Sequence, residues 1–180
     1  MHPTAFVFAC AAPPRTAVSG RHVLEVGSYN VNGSVRPAVV AHGPASYVGV
    51  DASPQPRFVD VVLPAEQLVR HFGENAFDVL ISTEMLEHAE DWRTVIDAMK
   101  SVLCPGGLLV LTCRGPGFER HEFPGDFWRF TLEDFSRIFA DFEVETLMED
   151  STPGVLFAGR RSNRPRPDLT SISVAPAPAR

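Results

Sequence analysis

The chain has 180 residues, 44% of them hydrophobic, which excludes a wholly disordered protein and suffices for one domain with a proper core. Its formal net charge of -6 argues against a broad nucleic-acid surface, because phosphate binding requires clustered cations. No apolar run approaches the roughly 18 residues of a membrane helix, and the three cysteines lack the paired spacing of a disulfide or zinc framework.

Residues 1–20 form an N-terminal segment whose structure the sequence leaves open. The apolar stretch AFVFACAA at 5–12 has the character of a signal-peptide core. Only His2 precedes it where a signal peptide carries a basic segment, so we expect no signal peptide and a cytoplasmic protein. The breaker PPRTAVSG then separates this segment from the main domain, which we place at 21–160.

Strand and helix patterns alternate through the main domain. The strand patterns are runs of apolar and β-branched residues, at 22–26, 47–51, 59–63, 77–82 and 108–112. The helix patterns lie at 33–41, 65–72, 91–103 and 131–139. Pro37 fits the first turn of the first of these helices, and the PGG sequence at 105–107 stops the third. Thr131 is predicted to cap the fourth helix.

The last patterned segments are two strands without a helix between them, at 142–148 and 155–159. They predict an antiparallel pair that closes the sheet. The whole pattern predicts a single Rossmann-like, doubly wound α/β sheet, mostly parallel with an antiparallel C-terminal edge hairpin. Residues 161–180 are rich in Pro, Ser and Arg and lack periodicity, so we expect a disordered tail.

A glycine-containing turn follows the first predicted strand, within LEVGSYNVNGS at 24–34. Gly27 allows the backbone to come close to a ligand, and Gly33 opens the following helix. Ser28 and Asn30 supply polar groups in the same turn. The third glycine of a dinucleotide-binding fingerprint is missing, which disfavours NAD or FAD as the ligand.

Polar residues also stand where the other strands end, and in this fold ligands bind at the carboxyl ends of the strands. Asp51 ends the second strand, where a carboxylate accepts hydrogen bonds from both ribose hydroxyls. A turn-capping role before Ser53-Pro54 is about equally compatible with that position. Ser82, Thr83 and Glu84 end the fourth strand.

Residues 22–113 resemble the S-adenosylmethionine (SAM) binding core of class I methyltransferases. The resemblance rests on five motifs in order: LEVG at 24–27, VGVD at 48–51, FDVLIS at 77–82, MLEH at 85–88 and LCPGG at 103–107. It implies SAM as the cofactor. The chain departs from the family in two places: Tyr29 and Val31 replace further glycines in the first loop, and Pro64 stands where many members carry an Asp that contacts adenine.

The resemblance also implies roles for individual residues. Glu25 would act on the methionine end of SAM through its amine, and the turn of Gly27, Ser28, Asn30 and Gly33 would approach the cofactor. Asp51 would hold the ribose hydroxyls. The remaining positions would line the adenine pocket, at Ala52, Ala65 and Glu66, and the methionine and methyl side, at Ser82, Thr83 and Glu84.

The loop after the fifth strand is the predicted place of chemistry, because long loops at the ligand edge of such a sheet are usually functional. Its segment FPGDFWRFT at 123–131 resembles a stretch in the same methyltransferases. His121 is the candidate general base, although a loop histidine is often only solvated or structural. Phe127 and Trp128 either pack a substrate ring or pin the loop.

Several charged residues receive structural interpretations. Asp126 and Arg129 are expected to pair with each other, and His88 either faces the active site or bonds at a helix start. We find no metal-ligand spacing, so we expect no metal. The scattered acids Asp60, Glu87, Glu90 and Asp91 are interpreted as solvated or capping groups.

Methyl transfer to a small-molecule or sugar-like acceptor is therefore the leading hypothesis, with neither nucleic acid nor membrane as partner. The alternative is a protein of the same fold that binds SAM, another nucleoside or a partner without catalysis. A nicotinamide-dependent reductase is disfavoured by the missing third glycine and by the LCPGG turn. The methyl acceptor and the oligomeric state stay open.

Overall fold

The computed structural model describes residues 1–121 and 125–179. Its strands are β1 (His22–Val26), β2 (Ser46–Asp51), β3 (Val61–Val62), β4 (Phe77–Thr83), β5 (Leu103–Arg114), β6 (Trp128–Arg129), β7 (Phe142–Glu149), β8 (Gly154–Arg161) and β9 (Ala175–Pro176). Its α-helices are α1 (Pro3–Ala11), α2 (Arg15–Val18), α3 (Arg36–Val40), α4 (Leu68–Phe72), α5 (Trp92–Val102) and α6 (Leu132–Ile138). Short 3₁₀ turns lie at Ala65–Gln67, Leu86–His88 and Leu169–Ser171.

Seven strands form one sheet in the order β3-β2-β1-β4-β5-β8-β7. The first five pair in parallel, whereas β8 is antiparallel to both β5 and β7. The predicted mostly parallel sheet with an antiparallel C-terminal hairpin is thereby confirmed. The order reverses between β1 and β4, which places a ligand crevice at the carboxyl ends of these strands.

Alternate residues of the central strands face two separate hydrophobic clusters. Leu24 and Leu80 belong to the larger cluster, together with residues of α4, α5 and α6. Val23 and Val79 belong to the smaller cluster, together with residues of α1, α2 and α3. The apolar runs of the sequence follow from this arrangement, because both faces of the sheet are covered by helices.

The ends of several elements differ from the predictions for local reasons. Helix α3 has Val35 at its N-cap, so it is shorter than predicted, and Pro37 does occupy its first turn. Strand β5 begins at Leu103, directly after α5, and includes the PGG sequence predicted as a turn. Thr131 caps α6 as predicted, in a capping box that Asp134 completes.

The predicted disordered tail differs from the structure. Strand β8 continues to Arg161, and β9 pairs with β6 in a small second sheet. Leu169, Ile172 and Val174 are buried in the larger cluster. Arg93 of α5 donates hydrogen bonds to the carbonyls of Leu169 and Ile172, at 3.0 and 2.6 Å. Composition predicted disorder because these few apolar residues are spread among Pro and Arg.

The N-terminal segment, left open by the sequence, contains α1 and α2. Ala5 and Ala9 of α1 are fully buried, and α1 packs on β4 and β5. Over the described parts of the chain, every helix is too short or too polar to traverse a lipid bilayer.

Candidate active site

A cavity of about 580 Å³ opens at the carboxyl ends of β1, β2 and β4, within the size range of small-molecule sites. Most of the predicted cofactor residues border it: Glu25, Gly27, Ser28, Gly33, Asp51, Ala52, Ala65, Glu66, Thr83 and Glu84. Asn30 and Ser82 do not border it. His121, the predicted base, lies on the same cavity, as does His88.

The turn after β1 comes close to the turn after β4. Gly27 has a φ of +80°, in the left-handed region that favours glycine. A Cβ at this position would lie 2.5 Å from Met85 Cγ. Gly27 is therefore required both by its backbone conformation and by the closeness of Met85, so any larger residue must displace the cavity wall.

Asp51 joins the first turn to the end of β2. Its Oδ2 accepts a hydrogen bond from the amide of Tyr29 at 3.3 Å, and its Oδ1 accepts one from the amide of Ser53 at 2.9 Å. Asp51 thus caps the turn that follows it and also borders the cavity. The two interpretations that the sequence offered for this carboxylate are compatible with each other.

Asn30 shapes the turn from outside the cavity. Its Oδ1 accepts a hydrogen bond from the amide of Gly33 at 2.8 Å. Its amide donates to Gln55 Oε1 at 2.6 Å, while Gln55 Nε2 donates back to the carbonyl of Asn30 at 3.1 Å. Sequence reasoning missed Gln55, because this pairing joins two loops that are distant along the chain.

Glu25 lies near the carboxyl end of β1 and is buried, with 4% of its surface exposed. Its Oε2 accepts a hydrogen bond from the hydroxyl of Tyr47 at 2.7 Å. Burial raises the pKa of Glu25 to about 7, against the opposing effects of Tyr47 and Arg36. This carboxyl is therefore poised to gain its negative charge when a cation enters the cavity.

Glu84 adopts an unusual backbone conformation at the end of β4, with a φ of +48°. Its amide donates to the carbonyl of Thr112 at 2.8 Å, and its Oε1 pairs with the fully buried Arg114 at 2.5 Å. The amide of His2 donates to its Oε2 at 2.8 Å. These three contacts, two from β5 and one from the N-terminal segment, hold Glu84 in a strained conformation, which is typical of functional sites. Arg114 carries no sequence signal for this role.

Ser82 stands one residue before the cavity. It is 1% exposed, and its hydroxyl has no hydrogen-bond partner among the described residues. The Ser82 side chain is therefore buried in the core and does not reach the cavity, whereas its neighbours Thr83 and Glu84 border the cavity.

His121 lies beside a rigid ion pair in the loop after β5. Arg129 binds both carboxylate oxygens of Asp126, at 2.5 and 2.7 Å, as the sequence predicted. Although burial alone would raise it, hydrogen bonds from Arg129 and from the amide of His121 hold the pKa of Asp126 below its usual value. The Nδ1 of His121 lies 3.3 Å from Asp126 Oδ2. The ring angle forms no hydrogen bond between them, but the nearby Asp126 carboxylate favours the tautomer with the proton on Nδ1, which leaves Nε2 without a proton.

His88 borders the cavity, and its structural hydrogen bond goes to the loop after β5, not to a helix start as the sequence suggested. Its Nδ1 pairs with the carbonyl of Gly125, and its ring packs edge-on against His121 with centroids 4.9 Å apart. Burial lowers the pKa of His88, which favours the neutral ring. Residues 122–124, including Glu122 and part of the FPGDFWRFT segment, lie outside the described residues.

The aromatic residues of this loop divide into two groups. Trp128 Nε1 donates to the carbonyl of Ala89 at 3.0 Å, and Phe127 pairs through its backbone with Glu87 and Ala177. Neither borders the cavity, so both pin the loop. Phe118, which the sequence did not single out, lines the cavity and packs against His121.

Glu87 was interpreted as a solvated or capping acid, and this was wrong. The residue is 0% exposed, and neither carboxylate oxygen has a hydrogen-bond partner among the described residues. Burial raises its pKa to about 8. One possible ligand atom from each of Glu87, His88 and His121 lies within 4.8 Å of the others. The turn at Leu86–His88 folds Glu87 inward, which its polar sequence context does not indicate.

Comparison with known proteins gives a family match over the region that forms the sheet and the cavity. Residues 24–111 match the family described as "Methyltransferase domain". A ubiquinone biosynthesis O-methyltransferase of Psychrobacter arcticus is 31% identical over an alignment of 111 residues, with a coverage of 53% of this chain and 41% of that protein. The chain thus spans less than half the length of this relative.

Solved structures share the fold at low sequence identity. The 1,6-didemethyltoxoflavin-N1-methyltransferase of Burkholderia thailandensis, with bound S-adenosylhomocysteine (SAH), is 18% identical with a TM-score of 0.65, covering 88% of this chain and 79% of that one. The [4+2]-cyclase SpnF is 19% identical with a TM-score of 0.62, covering 87% of this chain and 81% of that one. The two names show that this fold supports different chemistry.

Proposed function

Because this chain belongs to the class I, SAM-dependent methyltransferases through its domain at 24–111, we propose that it transfers a methyl group from SAM to a small-molecule acceptor. The observation that carries this proposal is a single cavity bordered by both the glycine turn of β1 and the carboxylate that ends β2. This arrangement at the switch point of a doubly wound sheet suits a nucleoside ligand.

The cofactor would extend across the cavity from β2 to β4. Asp51 would accept hydrogen bonds from the ribose hydroxyls, and Ala52, Ala65 and Glu66 would border the adenine. These residues follow the end of β2 or belong to the turn after Pro64, and all of them border the cavity. Pro64 has no side-chain carboxylate to contact the adenine amine, so backbone groups of Ala65 and Glu66 would make this contact instead.

The amino acid part of SAM would lie near Glu25, Gly27 and Thr83. The buried Glu25 carboxyl is suited to a cationic amine, since a positive charge nearby favours its ionised form. Gly27 leaves room for the ligand to approach the backbone. Glu84, held by Arg114, borders the methyl side of the same cavity.

The acceptor would bind on the wall formed by His88, Phe118 and His121. In the transfer, a lone pair on an acceptor oxygen forms the new C–O bond while the electrons of the C–S bond return to sulfur, which leaves neutral SAH. Positioning supplies most of the rate enhancement of such a displacement. A hydroxyl acceptor must also lose its proton, and His121, with Nε2 left free by Asp126, is the candidate base in a metal-free site.

A small acceptor is favoured over a nucleic acid by volume and charge. The cavity of about 580 Å³ must hold both cofactor and acceptor. The net charge of -6 provides no general attraction for a phosphate backbone. The toxoflavin-precursor methyltransferase and the ubiquinone-pathway relative both have small-molecule names, which supports the same class of acceptor.

A second candidate function is SAM binding without methyl transfer. The likeness to SpnF, a cyclase of the same fold, favours keeping this alternative. Two measurements separate the candidates. Mass spectrometry of the purified protein tests for bound SAM or SAH, and transfer of a radioactive methyl group to a panel of phenols, sugars and amines tests for catalysis.

The expected result is co-purified SAM or SAH together with transfer to at least one hydroxyl compound. Binding without transfer to any acceptor would favour the second candidate. Absence of both SAM and SAH, combined with no measurable binding of added SAH, would contradict both.

A further inference from the structure

Three side chains that can act as metal ligands come together beside the cavity, two of them bordering it and Glu87 buried behind them. Glu87 and His88 come from the 3₁₀ turn at Leu86–His88 after β4, and His121 comes from the loop after β5. One ligand atom from each lies within 4.8 Å of the others. Two ligands of a common zinc ion, each about 2 Å from it, are at most about 4 Å apart, so small side-chain rotations would bring all three into range.

The buried carboxylate is the strongest sign of a missing partner. Glu87 is completely buried, and neither of its oxygens meets hydrogen-bond geometry among the described residues, although the backbone N–H groups of Glu87 and Arg114 act on the carboxyl and oppose the rise of its pKa. Burial of an acid without a partner is costly, and buried charges in proteins are normally paired or coordinate a metal. Arg114 forms its close ion pairs with Glu84 and Asp150 instead, at 2.5 and 3.0 Å.

Both histidines are oriented as metal ligands usually are. The Nδ1 of His88 bonds to the carbonyl of Gly125, and the Nδ1 of His121 lies 3.3 Å from the carboxylate of Asp126, where a small ring rotation would complete a hydrogen bond. Metal-binding histidines typically use one ring nitrogen for the ion and give the other N–H to a carbonyl or carboxylate. Arg129 in turn fixes Asp126 through two hydrogen bonds, at 2.5 and 2.7 Å.

We propose that Glu87, His88 and His121 bind a divalent cation of the zinc class at the wall of the cavity, where the ion would hold the oxygen of the methyl acceptor. Two imidazoles and one carboxylate suit Zn²⁺ and similar borderline cations better than Mg²⁺ or Ca²⁺, which prefer oxygen ligands. Three protein ligands leave a position open, as in catalytic zinc sites. His88 and His121 both border the cavity, so this position faces the acceptor.

The role in catalysis rests on the proposed function. An acceptor hydroxyl bound to the ion would lose its proton to solvent more readily, because a metal ion lowers the pKa of a bound hydroxyl. The resulting oxygen anion would attack the methyl carbon, and the C–S electrons would return to sulfur. With the ion bound, His121 would act as a ligand and not as the base.

The test measures metal binding alone, without SAM or acceptor. Tag-free protein stripped with a chelator is titrated with ZnCl₂ by calorimetry, and with CoCl₂ while visible absorption reports the ligand set. We expect one ion per chain. Glu87→Gln and His121→Asn should each weaken Zn²⁺ binding at least tenfold. His71→Asn is the matched control, because His71 is exposed on α4, and it should leave binding unchanged.

Each other outcome has a defined meaning. Lack of saturable one-to-one binding, or unchanged affinity in both site variants, would overturn the site. Equal affinity for Mg²⁺ would overturn the assignment to the zinc class. SAH titration of the same protein samples distinguishes the two proposals. A protein that binds SAH but no metal would contradict only the metal site, whereas a protein that binds metal but no SAH would contradict only the proposed function.

Discussion

The amide of Tyr29 donates a hydrogen bond to the Oδ2 of Asp51 at 3.3 Å, and so the turn after β1 is tied directly to the end of β2. Tyr29 stands at a position where the resembled methyltransferases usually carry glycine. The departure leaves the turn intact, because the contact to Asp51 uses the backbone and not the side chain. One carboxylate thereby organises the first turn and borders the cavity.

Replacement of Asp51 by alanine is expected to weaken SAM binding by about 1.5–3 kcal/mol, as for the loss of charge-assisted hydrogen bonds. The physical reason is that the ribose hydroxyls would lose their acceptor. Calorimetric titration with SAM or SAH measures the effect directly. Glu143→Ala is the matched control, because it removes an exposed carboxylate from β7, outside the cavity. Unchanged affinity in Asp51→Ala would remove this residue from the proposed site.

SAH binding should strengthen as pH rises through 7. The pKa of Glu25 in the free protein is raised to about 7 by burial, so the carboxyl is mostly protonated at pH 6 and mostly ionised at pH 8. The amine of the ligand favours the ionised form, and binding below pH 7 must therefore release a proton. We expect about tenfold tighter binding at pH 8 than at pH 6, since one pKa unit corresponds to a factor of ten.

Glu25→Gln provides the control for this pH dependence. The amide is nearly the same size, can still bond to Tyr47, and does not titrate. Its affinity for SAH should change much less between pH 6 and pH 8 than that of the unaltered protein. An equally steep pH dependence in the variant would assign the titration to another group and contradict the proposed role of Glu25.

The sheet could be predicted from the sequence because its signals are local. Runs such as FDVLIS are apolar on both sides, and the helices between them have one apolar face, so the order of elements follows from periodicity. The glycine turn and Asp51 could be found for a similar reason: the carboxyl ends of parallel strands meet at one edge, so residues that end different strands converge.

The remaining features depend on contacts between distant segments. The pair of Gln55 with Asn30 joins two loops, and the pair of Arg114 with Glu84 joins the last residue of β5 to the residue after β4; no periodic pattern connects either pair. Glu87 has the same polar neighbours as a solvated acid, and only the fold of the turn buries it. The burial of Ile172 likewise depends on Arg93, whose guanidinium binds the tail through backbone carbonyls that every sequence has.

Truncation of Ile172 tests the packing of the tail. Ile172 is 2% exposed within the larger cluster, so Ile172→Ala is expected to lower the free energy of unfolding by about 2–5 kcal/mol. Denaturant unfolding followed by circular dichroism measures the change. Ser173→Ala, at the exposed neighbouring position, is expected to change it by less than about 0.5 kcal/mol. Equal stability of the two variants would show that Ile172 does not stabilise the fold, and would support the sequence-based prediction of a disordered tail at 161–180.

The buried ion pair of Lys100 and Asp141 offers a test of the core between α5 and the end of α6. Lys100 Nζ lies 2.6 Å from Asp141 Oδ1, and both side chains are at most 3% exposed. Lys100→Met should cost about 3–5 kcal/mol of unfolding free energy, because it leaves a buried carboxylate unpaired. Adding Asp141→Asn should recover part of this loss, since the double variant contains neither charge.

The control is Arg160→Met, which breaks an exposed pair with Glu145 and should cost at most about 1 kcal/mol of unfolding free energy. Additive losses in the double variant would show that the two charges are not coupled.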